Sequence, residues 1–116
     1  MWQKFRLIIC WIRLKIIKLL HPSSHLTTEG FSDISIKSDI EIGRASCLKI
    51  GRGLHTRKNV LCAVRDNARL TFGDNVFINR NTIIVARESI SIGSNVTIGP
   101  NVCVYDHDHN IIGGGM

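Results

Sequence analysis

Two hydrophobic patterns divide this chain. Residues 2–20, WQKFRLIICWIRLKIIKLL, contain neither Gly nor Pro and are apolar around much of a helical wheel. They predict an α-helix. His21-Pro22-Ser23-Ser24 ends it, because the residue before a proline avoids the α region. From about Phe31 the period changes. Ile34, Ile36, Ile40 and Ile42 begin an alternation typical of strands. Hydrophobic-Gly pairs then punctuate the chain at Ile42-Gly43, Ile50-Gly51, Phe72-Gly73, Ile92-Gly93 and Ile98-Gly99.

Three stretches can be laid over one another, starting at Gly51, Gly73 and Gly93. They read GRGLHTRKNVLCAV, GDNVFINRNTIIV and GSNVTIGPNVCVY. Val76 falls on Val96, Ile78 on Ile98, Asn81 on Asn101 and Ile84 on Val104. The starts are 73 − 51 = 22 and 93 − 73 = 20 residues apart. Within the last two copies the large apolar residues step by six, through Phe72, Ile78 and Ile84, then Ile92, Ile98 and Val104. A very short strand can place one such side chain in a narrow interior. The chain must then turn sharply, which favours Gly and Asn because they tolerate positive φ. Three such strands complete one coil, and each coil pairs its backbone with the coils above and below. No coil buries its interior alone, so stability sums over neighbours. The expectation is an all-β solenoid over residues 31–116, preceded by a helical segment at residues 1–22.

Composition refines this picture. At 116 residues there is room for one domain at most. The chain is 44% hydrophobic but only 6% aromatic, which suits thin coils of Ile, Val and Leu better than a globule built on aromatic anchors. The formal charge is +6, and Lys4, Arg6, Arg13, Lys15 and Lys18 crowd into the helix. No helix-turn-helix, zinc finger or aromatic RNA-binding signature accompanies that charge, which argues against nucleic acid. The longest uncharged run in the helix, Leu7–Ile12, is six residues, whereas a membrane span needs about 20. Charges at Arg13, Lys15 and Lys18, and the lack of a small-residue cleavage site, argue against a signal peptide. On the wheel, Lys4, Lys15 and Lys18 fall on one side and Arg6 and Arg13 on another, leaving a broad apolar face. Two readings of the helix stay open. It packs on its own domain or a neighbouring subunit, or it lies on a membrane with its cations toward anionic lipid.

Cys10, Cys47, Cys62 and Cys103 form no CxxC pair. Cys47, Cys62 and Cys103 stand among aliphatic residues, where a thiol behaves as a small hydrophobe. They read as reduced, in a cytosolic compartment, with no disulfide framework and no Cys/His metal spacing.

The repeat resembles the hexapeptide-repeat acyltransferases, in which aliphatic-Gly-x-x-x-x units wind into a left-handed parallel β-helix. The likeness covers residues 34–112 and is closest over Ile92-Gly93-Ser94-Asn95-Val96-Thr97-Ile98-Gly99-Pro100-Asn101-Val102. The expected hand comes from the resemblance alone, since parallel crossovers are ordinarily right-handed. The sequel Val104-Tyr105-Asp106-His107-Asp108-His109-Asn110 looks like the maltose and galactoside O-acetyltransferase branch, to which enzymes acetylating bacterial surface polysaccharide are related. The resemblance implies acetyl-CoA as acyl donor, a sugar or polysaccharide hydroxyl as acceptor, no metal, and a cytoplasmic homotrimer with its site between subunits. It places a catalytic histidine shortly after the repeat. Counted from Pro100-Asn101-Val102, His109 falls on it, and His107 is two residues early. Tyr105, Asp106 and His107 are expected beside the acceptor. Asn79, in Phe77-Ile78-Asn79-Arg80-Asn81, matches an asparagine lining the acceptor site, and an acid expected shortly after it corresponds to Arg87 here.

The implied chemistry needs a base. A sugar hydroxyl is a poor nucleophile at neutral pH, and an imidazole of unperturbed pKa near ~6.5 can take its proton during attack on a thioester. Asp106 or Asp108 either orients that imidazole or is a solvated turn carboxylate. Four adjacent Asp and His residues cannot all face one metal ion. Asn81 and Asn101 read as turn formers, and His55 and Arg57 as surface residues of a lower coil. In the family, more coils and a cap follow the loop equivalent to Ile111–Met116, and they carry much of the coenzyme A groove. The expectation is therefore a truncated enzyme, with cofactor-binding residues unassigned. The alternative is a non-catalytic β-helical oligomerisation module or an inactive remnant.

Overall fold

The computed structural model of the chain describes residues 2–106. Helix α1 spans Trp2–Leu20 and ends one residue before His21-Pro22. Four coils follow. The first is β1 (His25–Thr28), β2 (Asp33–Ile34) and β3 (Asp39–Ile42). The second is β4 (Cys47–Ile50), β5 (His55–Thr56) and β6 (Leu61–Val64). The third is β7 (Arg69–Phe72), β8 (Phe77–Ile78) and β9 (Ile83–Ala86). The fourth is β10 (Ser89–Ile92), β11 (Thr97–Ile98) and β12 (Cys103–Tyr105). Every pairing is parallel, and the strands stack into three four-stranded sheets, β1-β4-β7-β10, β2-β5-β8-β11 and β3-β6-β9-β12. The architecture is a left-handed parallel β-helix behind a single α-helix.

The register is the one expected from the repeat. Ile98 pairs with Ile78, and Val104 with Ile84. Ile50 lies on Phe72, and Phe72 on Ile92. Strand alternation sends Leu48, Leu70, Ile78 and Ile84 to the axis, where they are buried. In the fourth coil Ile92, Ile98 and Val104 are only partly buried, consistent with a described neighbour on one side only.

The corners explain the Asn residues. Asn59, Asn67, Asn75, Asn81, Asn95 and Asn101 all have φ between 57° and 62°, the left-handed region that Asn tolerates best after Gly. Ala45 shares that conformation with φ 51°. Buried hydroxyls close other corner bonds. Ser38 Oγ donates to the Arg57 carbonyl, and Thr82 Oγ1 to the Gly99 carbonyl at 2.9 Å. Both also accept a backbone amide, from Val60 and Val102 respectively.

Three details go beyond the sequence reading. The solenoid begins at β1, ahead of residue 31. Ile36 does not continue the strand alternation. It sits in the corner between β2 and β3 and is 73% exposed. Finally, the drop in period from 22 to 20 has one location. The corner from β6 to β7 spans residues 65–68, whereas that from β9 to β10 is only Arg87-Glu88.

Helix α1 covers the first-coil end of the prism. Cys10 and Leu14 are buried in the common core, with Ile17 packed against it. Arg6 pairs with Asp33 at 3.0 Å. The Arg13 guanidinium donates to the Ser35 carbonyl at 2.9 Å and also to the Ser38 carbonyl. The helix is thus tied to its own domain by Arg6 and Arg13, the two cations that lie apart from the lysines on the wheel.

Candidate functional site

The outer faces of the three sheets differ. Alternation turns Thr27, Lys49, Thr71 and Ser91 outward on the first sheet. On the second, His55 is exposed and meets Phe77 edge-on at 5.2 Å. On the third sheet alternation puts Leu61, Ala63, Ile83 and Val85 on the outer side, where Leu61 and Ile83 are half-buried and Ala63 and Val85 are already buried. An open groove of about 960 Å³ runs over this apolar strip, lined by Leu61, Arg65, Ile83, Val85, Arg87 and Tyr105. Arg65 and Arg87 occupy equivalent positions 22 residues apart, each just after its strand, and both are exposed. Arg65 is paired with Glu41 of the first coil at 3.0 Å.

Tyr105 enters the groove because it pairs with Val85 at the end of β12. Its phenol is held above the ordinary tyrosine range, first by a hydrogen bond with Cys103, then by the negative charge of the Cys103 thiolate and a small loss of solvation. Cys103 is exposed on the outer side. That differs from the aliphatic setting expected from its neighbours, because Val102 and Val104 turn inward on either side of it. Cys62 turns inward, and burial pushes its thiol up to about 12. Burial also raises Cys10, against a backbone hydrogen bond from Ile34 and the Arg13 charge, which lower it.

Asp106 has a defined structural role. Its carboxylate accepts the amides of Arg87 at 2.7 Å, Glu88 at 2.7 Å and Ser89 at 2.6 Å. It thereby ties down the shortened corner. Other coils use the same device. Asp66 accepts the Arg44 amide at 2.8 Å, Asp74 accepts the Arg52 amide at 2.8 Å, and Ser94 accepts the Asp74 amide at 2.9 Å. In each case a corner side chain reaches the corner one coil below. The sequence signal for Asp66 and Asp74 was their offset of 22 from Arg44 and Arg52.

Asn79 lies in the corner ahead of β9, where its Oδ1 accepts the Arg80 amide at 2.8 Å. Tyr105 stands over Val85, toward the other end of β9. The structure therefore brings Tyr105 and Asp106 to one corner with Arg87 and leaves Asn79 at another. His107 and His109 lie outside the described residues. Among the described residues no group of three or more His, Cys, Asp or Glu side chains is placed to hold a metal ion.

No family model, no curated protein and no solved structure matches the chain.

Proposed function

We propose that the chain is a hexapeptide-class acyltransferase that moves acetyl from acetyl-CoA to a sugar or polysaccharide hydroxyl, with His109 as general base. What supports this reading is the coil register, in which Ile98 lies on Ile78 and Val104 on Ile84. That register supports the β-helix the resemblance implies, and the same resemblance, counted along the sequence from Pro100-Asn101-Val102, assigns the base to His109. In the reaction the acceptor oxygen forms a bond to the thioester carbonyl carbon as its proton passes to the imidazole. Collapse of the tetrahedral intermediate breaks the carbon–sulfur bond, and the imidazolium returns the proton to the departing thiolate. Backbone N–H groups or an amide would stabilise the oxyanion. A neighbouring subunit on the apolar strip of the third sheet would supply the homotrimer that the resemblance implies.

The test is release of free coenzyme A from acetyl-CoA with an acceptor sugar, followed by chromatography so that Cys103 does not confuse a thiol reagent. His109→Ala should lower the rate by about 100-fold or more. Undiminished turnover in that variant removes His109 from the mechanism. A second reading is favoured by one observation, the half-buried apolar pair Leu61 and Ile83 on the outer side of the third sheet. It suits a non-catalytic oligomerisation module equally well. No coenzyme A release, together with no thermal shift up to millimolar coenzyme A, selects that module.

A further inference from the structure

Helix α1 has two apolar faces, and the solenoid uses only one. Cys10, Leu14 and Ile17 pack on the first coil, and Arg6 and Arg13 are drawn to Asp33, Ser35 and Ser38. This fixes how the helix is turned about its axis. At 3.6 residues per turn, Phe5, Ile8, Ile9, Ile12, Ile16, Leu19 and Leu20 then share the opposite side, within an arc of about 120°. All are exposed, from 36% at Ile9 to 79% at Leu19. No charged residue falls inside that arc. Lys4, Lys15 and Lys18 line one edge of it, all exposed, with Trp11 beside them and its ring 5.3 Å from the Lys15 ammonium. Residues 2–20 contain five cations and no acid. Apolar residues concentrated this way are unusual on a water-facing surface.

We propose that this face is a membrane-docking surface, with α1 lying in the plane of an anionic bilayer and the solenoid hanging from it. The argument is charge complementarity. The lysine edge needs a negative partner, and anionic headgroups supply one directly beside acyl chains that take up the apolar arc. A second copy of α1 would match the apolar arc but bring only further lysines, with no acid between residues 2 and 20 to meet them. A tryptophan on the lysine edge sits where the headgroup level would be. The helix cannot cross the bilayer instead. No described helix is long and apolar enough, and Arg6 and Arg13 hold one whole side of this one to the first coil. The inference does not depend on the acyltransferase reading.

Flotation with lipid vesicles tests it on the full chain. The protein should float with vesicles containing phosphatidylglycerol and be released by high salt, and it should stay behind with phosphatidylcholine alone. Replacing Lys4, Lys15 and Lys18 by Gln should weaken binding to the anionic vesicles by about 100-fold, at roughly a factor of five per lysine. Ile12→Glu with Ile16→Glu should abolish flotation while leaving the melting temperature unchanged, since both side chains face away from the solenoid. Equal flotation on neutral vesicles, or none on anionic ones, overturns the proposal. So does a change from oligomer to monomer in the Ile12→Glu, Ile16→Glu variant, measured by light scattering without lipid, because a second copy would then cover the face.

Discussion

The Asp106 carboxylate accepts the Ser89 amide at 2.6 Å from one coil above it. The same group holds the Arg87 and Glu88 amides, so one side chain satisfies three consecutive donors of the shortest corner in the solenoid. Charge-assisted bonds of this kind are stronger than neutral ones, and leaving the donors unmet is costly. Asp106→Ala should therefore lower unfolding free energy by about 2 kcal/mol, with Asp106→Asn losing less. Urea unfolding measures the difference. Hydrogen exchange should quicken first at Arg87, Glu88 and Ser89.

Gly73 marks a second tight contact. A Cβ there would stand 2.6 Å from the Ser94 amide nitrogen and 2.8 Å from the Gly93 carbonyl carbon, both backbone atoms of the coil above. Neither can move without breaking the ladder. Gly73→Ala should cost about 1–3 kcal/mol. Gly93 provides the internal control, because nothing described lies within 4 Å of its Cβ position. Gly93→Ala should change stability by less than about 0.5 kcal/mol. Parallel thermal melts of the two variants decide the matter, and equal losses would refute the stacking account.

The four thiols should separate by position. Cys103 is exposed and should react first with a thiol reagent, Cys47 more slowly, and Cys10 and Cys62 only on unfolding. The pH dependence has a definite sign. The Cys62 thiol is raised from 9.0 to about 12 by burial, so its neutral form belongs to the folded state. Its contribution to stability is complete below the unfolded value and declines as pH rises from 9 toward 12, where the unfolded chain gains by ionising. Cys62→Ala should flatten that alkaline decline. Mass spectrometry after brief labelling gives the order, and melts between neutral and alkaline pH give the slope.

Much of this was legible in the chain. The step of six placed Phe72, Ile78 and Ile84 on the axis, because a strand of two to four residues can send few side chains inward. Asn81 and Asn101 were readable as turn formers for the same reason that they now show φ 62° and 58°. The strand His25–Thr28 was not legible, because Leu26 is its only aliphatic residue. Ile36 misled, since one Ile in a corner looks like the next beat of an alternation. The role of Asp106 was hidden by distance. Its partners lie 17 to 19 residues back, and only the fall in period from 22 to 20 hinted that a corner had been cut. At the candidate site, Tyr105 and Asp106 stand out in the sequence beside the histidines that follow them, but Arg65 does not. Its equivalence to Arg87 becomes visible only once the third sheet is in register.

The apolar strip on the third sheet leads to a prediction about assembly. Leu61 and Ile83 are neighbours in register on its outer side, and both are only half-buried in the single chain. Val85 beside them is already 8% exposed, so the strip is dry at its centre and open at its edge. A surface of that kind gains most from a second apolar surface laid over it. Ile83→Asp would bury an unpaired carboxylate in such an interface, yet in an isolated chain it would meet water. On the proposed oligomeric reading the variant should therefore sediment as a monomer where the unsubstituted chain sediments as an oligomer, with a modest loss of thermal stability that no longer depends on protein concentration. The Arg65–Glu41 pair, partly exposed on the same face, should matter far less, and Glu41→Gln should leave the oligomer intact. If Ile83→Asp sediments as the wild-type chain does, the third sheet is not where the subunits meet.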